Sequence, residues 1–142
     1  MSYSLAFSQS IIVVMYVADK VQQGYYEFVP THELSDSLGI AKPSAVKILQ
    51  HLNRAGIIET REGAKGGVRL ALLPAEITLL DVFNAIEQNR PLFRTTLKLR
   101  VKGKKPDRGQ QALADTLVAA EDAMKTSLGA TTIADLLEQI NA

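Results

Sequence analysis

At 142 residues the chain is long enough to bury one compact core and too short for two independent domains. Its 46% hydrophobic content removes the case for general disorder, and the absence of cysteine excludes disulfides, zinc on thiolates and any iron–sulfur cluster held by thiolates of this chain. The net charge of +1 says little about nucleic acid, but its distribution says more. Residues 41–69 carry Lys42, Lys47, Arg54, Arg61, Lys65 and Arg69 against Glu59 and Glu62; beyond Gly109, Asp115, Glu121, Asp122, Asp135 and Glu138 stand against Lys125.

The opening Met-Ser-Tyr-Ser lacks the positive region of a signal peptide, and Ile11 to Ala18 is too short an apolar run to span a bilayer. A cytoplasmic protein with no membrane partner is therefore expected. From Leu5 to about Lys20 the residues are apolar on nearly all sides; the β-branched cluster permits a strand, but the length favours a buried helix. After a break at Gly24 to Pro30, Thr31 to Leu38 reads as a short helix with Leu34 and Leu38 four apart, stopped by Gly39. A second helix is expected to begin at Pro43, where a missing N–H costs nothing, and to run to about Ala55.

Gly56 ends that helix, and the segments from Ile57 and from Val68 read as two strands around the glycine-rich turn Arg61-Glu-Gly-Ala-Lys-Gly-Gly. Thr78 is a cap candidate with Asp81 three residues on, ahead of a helix carrying Leu79, Val82, Phe83 and Ile86. Arg90 to Arg108 has no clear period and reads as an irregular connection. Its cations form either a solvated linker or a basic arm on phosphate, and the linker is favoured because the run lies beyond the basic hairpin. From Gly109 helical residues return, with Leu113, Leu117, Ala120 and Met124 forming a seam fit to meet another helix. Thr131 or Thr132 then caps a last helix with Ile133, Leu136, Leu137 and Ile140.

Within Pro43 to Ala55, Ala45, Ile48, Leu49 and Leu52 share one face, while Ser44, Lys47, His51 and Arg54 fall on the other. A helix with a core side and a basic side, preceded by a short helix and a glycine turn, matches a recognition helix entering a major groove. Arg61 and Lys65 on the following turn are placed to meet phosphates or a minor groove. Helix, turn, helix and basic hairpin in that order is far more specific than any one element. Enzyme readings are weak: His32 and His51 have no nucleophile at a recognisable spacing, and Gly63-Ala-Lys-Gly-Gly lacks the ending of a phosphate-binding loop. The chain is read as no enzyme, with no cofactor and no metal.

Four stretches resemble the winged-helix bacterial regulators that include the cluster regulator IscR and the nitric-oxide sensor NsrR. They are Leu34-Ser-Asp-Ser-Leu-Gly-Ile-Ala, Leu49-x-x-Leu-x-x-Ala-Gly-Ile-Ile, Gly63-x-x-Gly-Gly-Val-Arg-Leu, and Thr78-Leu-x-Asp-Val-Phe-x-Ala-Ile-Glu. The resemblance implies an N-terminal helix completing the core, a wing after the recognition helix, and a long C-terminal helix crossing its partner in a dimer. It aligns Pro43, Ser44, Val46 and Lys47 with positions that face DNA, and Arg61 to Lys65 with the wing. Cluster-binding members place three cysteines in the region that here runs from about Leu92 to Arg108, where this chain has none. The resemblance therefore transfers the scaffold and not the cofactor. Members of the family often carry arginine before the first wing glycine; this chain has Glu62, so the minor-groove contact either passes to Arg61 or is lost.

The expected fold class is mainly α with a small β-hairpin wing. A winged helix-turn-helix over residues 1–90 is followed by a basic linker over 91–108 and by a dimerisation helix with a C-terminal helix over 109–142. The expected function is a homodimeric repressor on a pseudopalindromic operator in double-stranded DNA. Lys42, Pro43, Ser44, Val46, Lys47, His51, Arg54, Arg61 and Lys65 form its DNA-facing set, and Leu113, Leu117, Ala120 and Met124 its dimer seam. A winged-helix protein-interaction module without DNA binding is the competing class, kept open by Val46 and Glu62. The effector is not legible in the sequence.

Overall fold

The computed structural model describes residues 5–142; the opening Met-Ser-Tyr-Ser, read above for targeting signals, lies outside them. Six helices and one hairpin follow in order: α1 (Leu5–Gln22), α2 (Thr31–Leu38), α3 (Lys42–Arg54), β1 (Ile58–Arg61), β2 (Gly67–Leu70), α4 (Leu79–Glu87), α5 (Lys104–Gly129) and α6 (Ile133–Asn141). The fold is the mainly helical winged architecture that the sequence pattern implies. No helix among the described residues is long and apolar enough to cross a membrane.

The core forms where the apolar faces of these helices converge. Val13, Val14 and Val17 of α1 are almost wholly buried, against Leu34 of α2, Ile48 and Leu52 of α3, and Val82 and Ile86 of α4. Such burial is worth about 1.5–3 kcal/mol for each large aliphatic side chain and is what holds α3 with its polar side outward. Phe7 and Phe83 add an edge-to-face pair with ring centroids 5.2 Å apart. At the outer edge, the Tyr16 hydroxyl donates to Glu33 Oε1 at 2.7 Å and so fastens α2 to α1.

The turn between α2 and α3 depends on Gly39, whose φ of 65° lets its N–H cap the Ser35 carbonyl. The wing is antiparallel, with Ile58 opposite Leu70 and Arg61 opposite Gly67. Val29 extends it by a bridge in which Val29 and Val68 exchange N–H···O bonds of 2.8 and 2.9 Å. Gly67 starts β2 for a steric reason: a Cβ there would sit 2.2 Å from the Val29 carbonyl oxygen.

Two features differ from the sequence reading. α5 starts at Lys104, five residues before Gly109, because Pro106 lies in the first turn where its missing N–H is harmless. The lysines around it form a solvated helical surface and no longer belong to an irregular connection. Helix α3 starts at Lys42, with Ala41 as its cap residue and Pro43 still within the first turn. The last helix, α6, folds back onto the core. Ile133 and Leu137 are buried in the main core, and α6 packs on α1. Two capping boxes lie side by side there, Thr78 with Asp81 and Thr132 with Asp135. The chain joins them through Leu79 N–H to the Thr131 carbonyl and Ile133 N–H to the Ile77 carbonyl.

Candidate nucleic-acid interface

Helix α3 buries Ala45, Ile48, Leu49 and Leu52 and leaves Lys42, Pro43, Ser44, Val46, Lys47, Gln50, Asn53 and Arg54 exposed. The 3.6-residue period sets this division: the buried positions recur at three, one and three residues, and everything between them points away. Val46 is 38% exposed, an apolar contact surface on an otherwise polar face. Eight of the nine residues expected to meet DNA are thus on α3's outer surface or on the wing beside it. The ninth, His51, is half-buried and turned toward the end of α4.

At His51 the Gln88 amide nitrogen lies 2.8 Å from Nδ1, so the amide donates and the ring keeps its proton on Nε2. Burial holds the imidazole below the usual histidine range, and Arg54, Lys47 and Arg90 push it further in the same direction. His51 is therefore a neutral link between α3 and α4 within a cationic surround.

The wing presents Arg61 and Lys65 in different states. The Arg61 guanidinium donates from Nε and Nη2 to the Lys65 carbonyl at 3.1 and 2.7 Å, lies 4.2 Å from the Phe28 ring centroid, and stands 3.4 Å from Glu27. It closes the turn from inside. Arg69 shares this platform, 4.5 Å from the same ring centroid and paired with Glu59. Lys65 is exposed at the tip. The consequence is a wing whose shape is set by Arg61 while Lys65 carries a charge toward solvent.

Between α3 and the wing runs a groove of about 300 Å³ lined by Val46, Gln50 and Asn53 on one side and Thr60, Arg61 and Glu62 on the other. Gln50 and Asn53 are amide side chains able to read base edges, and the sequence reading passed over them by selecting cations. Their spacing of four and seven from Val46 was the available signal. Thr31 also reaches this groove from the start of α2.

Helix α5 has no buried residue along its 26 positions. Leu117 and Met124 are half-buried and Leu113 and Ala120 are exposed, with Leu113 at 41%. The helix leans on α4, where Gly129 comes against Leu80, and Glu121 accepts the Leu92 N–H. Its outer seam is left to solvent in the single chain.

A short helix, a glycine turn, an amphipathic reading helix and a two-stranded wing together define a winged helix-turn-helix protein of the DNA-binding class. The comparisons agree. Residues 3–139 match the family model Rrf2, described as iron-dependent transcriptional regulator, and the chain belongs to that family. That family is one of transcription regulators.

Among curated relatives, the chain is 44% identical over 57 residues to Protein aau3 of Rhizobium meliloti strain 1021, covering 40% of this chain and 37% of that protein. It is 30% identical over 80 residues to the HTH-type transcriptional regulator NsrR of Bacillus licheniformis, covering 56% of this chain and 54% of NsrR. These matches span about half or less of the relatives' own length. A solved putative transcriptional regulator from Lactobacillus plantarum superposes with a TM-score of 0.78 at 20% identity, covering 96% of this chain and 90% of that one, which establishes the likeness of fold.

The family description implies iron, and the residues present do not fit it. Soft thiolate donors are lacking throughout the sequence, and among the described residues no three histidines, aspartates or glutamates gather. His51 has its Nδ1 occupied by Gln88 and faces three cations, an environment hostile to a metal ion.

Proposed function

We propose that the chain acts in the cytoplasm as a homodimeric repressor that reads a pseudopalindromic operator with α3 and its wing. The observation that carries this reading is the outward face of α3, where Ser44, Val46, Lys47 and Gln50 stand exposed beside a basic wing tip at Lys65. Ser44 and Lys47 read base edges, Lys42 and Arg54 approach phosphates, and Lys65 meets the minor groove or its flanking phosphates. Arg61 supports the site by holding the wing turn. The uncovered seam of α5 supports a two-fold partner, since a long helix with no buried residue leaves Leu113 in water. Residues 91–103 then connect reading head to dimer helix.

Selection of bound fragments from a genomic library, followed by footprinting, tests the proposal. The expected result is a two-fold site with half-sites one helical turn apart and two chains bound. An asymmetric site holding one chain contradicts the dimer, and enrichment of no fragment contradicts the DNA reading.

A further inference from the structure

Opposite the wing, α3 forms one wall of a second cleft of about 380 Å³, closed by the N-terminal part of α1 and the end of α4. That volume lies within the range of small-molecule sites. The floor is apolar, made by Ile48 and Ile86. The rim is polar and positive: Lys47 and Arg90 bring charge, while Gln9 and Ser44 bring an amide and a hydroxyl. None of the residues lining the cleft carries a carboxylate. Glu87 is buried and holds the Arg90 guanidinium from behind at 2.8 Å, leaving the arginine side chain 66% exposed.

We propose that this cleft is an effector site for a small organic anion, a carboxylate or phosphate monoester carried on a short apolar body. The anionic group pairs with Lys47 and Arg90 and accepts from the Nε2–H of His51, and the apolar body rests on Ile48 and Ile86. Burial first, and then the charges of Arg54, Lys47 and Arg90, depress the proton affinity of His51, and an anion in the cleft offsets the second of these. Lys47 is common to this cleft and to the DNA-facing surface, so a bound anion draws it away from the duplex and the two ligands weaken each other. Anion binding stands independently of the DNA reading; the antagonism rests on it.

The test is a titration of the full chain, without DNA, by amide and imidazole NMR with butyrate and with n-propyl phosphate. Chloride at matched ionic strength is the control. Saturable shifts confined to Ser44, Lys47, His51, Gln88 and Arg90 are expected, together with a rise in the His51 pKa. Gln9→Glu places a carboxylate in the cleft without altering the DNA-facing set. It is expected to weaken anion binding at least tenfold and, because its carboxylate engages Lys47 as a bound anion does, to lower unliganded DNA affinity as well. Arg90→Gln is expected to weaken binding as well, although it also removes the ion pair between Arg90 and Glu87. Shifts no larger than those of chloride, or shifts that persist in Gln9→Glu, overturn the site. Movement of the cleft resonances on adding duplex, with none on adding either anion, makes it a DNA backbone contact and also overturns it. Anion binding by a chain that ignores duplex upholds the site and defeats the antagonism.

Discussion

Leu113→Ala isolates the dimer seam from the fold. In the single chain Leu113 is 41% exposed on a helix that buries no residue, so its removal leaves the core intact. Full burial of a leucine is worth about 1.5–3 kcal/mol, so covering the exposed fraction contributes about 0.6–1.2 kcal/mol per protomer. Two-fold symmetry counts the residue twice, giving about 1.2–2.5 kcal/mol per dimer. The dimer dissociation constant is therefore expected to rise roughly tenfold to sixtyfold. Sedimentation equilibrium over a range of concentrations measures it, and a thermal melt of dilute protein confirms that the single chain is unharmed. Leu117→Asp is the harsher form, expected to give a monomer, but Leu117 is half-buried against its own chain and mixes folding with association. An unchanged dissociation constant for Leu113→Ala refutes the seam and places the interface elsewhere.

Other substitutions separate the roles of the cations. Lys47→Ala is expected to cost about 1–3 kcal/mol of operator affinity and to relax sequence preference, whereas Lys65→Ala weakens all duplexes alike and lowers the salt slope by about one unit. Titrations against operator and scrambled duplex distinguish the two. Arg61→Ala removes the ring contact and two hydrogen bonds that close the wing. It is expected to destabilise the chain by about 1 kcal/mol in urea and to raise amide exchange across Glu62 to Gly66. At His51 the folded chain takes up its proton at lower pH than the unfolded chain does, so stability falls as pH drops through and below the ordinary histidine range. Urea midpoints across that range are expected to show this slope, and His51→Gln to flatten it.

The sequence disclosed much of this architecture because its signals are local. Thr78 with Asp81, Gly39 after Leu38, and the alternation of Ala45, Ile48, Leu49 and Leu52 each act within one or two turns of chain, and each appears where its chemistry requires. The start of α5 was missed because a run of lysines and a proline resemble a solvated linker. They equally suit a first turn that needs no proline N–H and an exposed helical surface. The position of α6 was hidden because Ile133 and Leu137 find their partners on α1 and near Ile77, more than a hundred residues away in the first case.

The candidate interface was legible to the same degree. Charge and periodicity identify Ser44, Lys47 and the wing, but they do not show that Arg61 lies over Phe28 or that His51 meets Gln88. Those pairings bridge 33 and 37 residues, and one sequence offers no local sign of either. They give Arg61 and His51 partners within the chain beside the DNA-facing role read from the sequence. Gln50 and Asn53 entered only when the hairpin was seen to close a groove beside them.

The proposed function requires α3 and the wing to bind duplex DNA through base edges and phosphates together. Its most direct test is the affinity of the intact chain for a selected duplex and for scrambled duplex as salt is raised. Binding is expected to be tight at low salt, to weaken along a straight line in log affinity against log salt, and to favour the selected duplex by at least about a thousandfold. Absence of binding to either duplex at low salt, from a folded dimer, contradicts the claim and leaves the winged helix as a surface for protein partners.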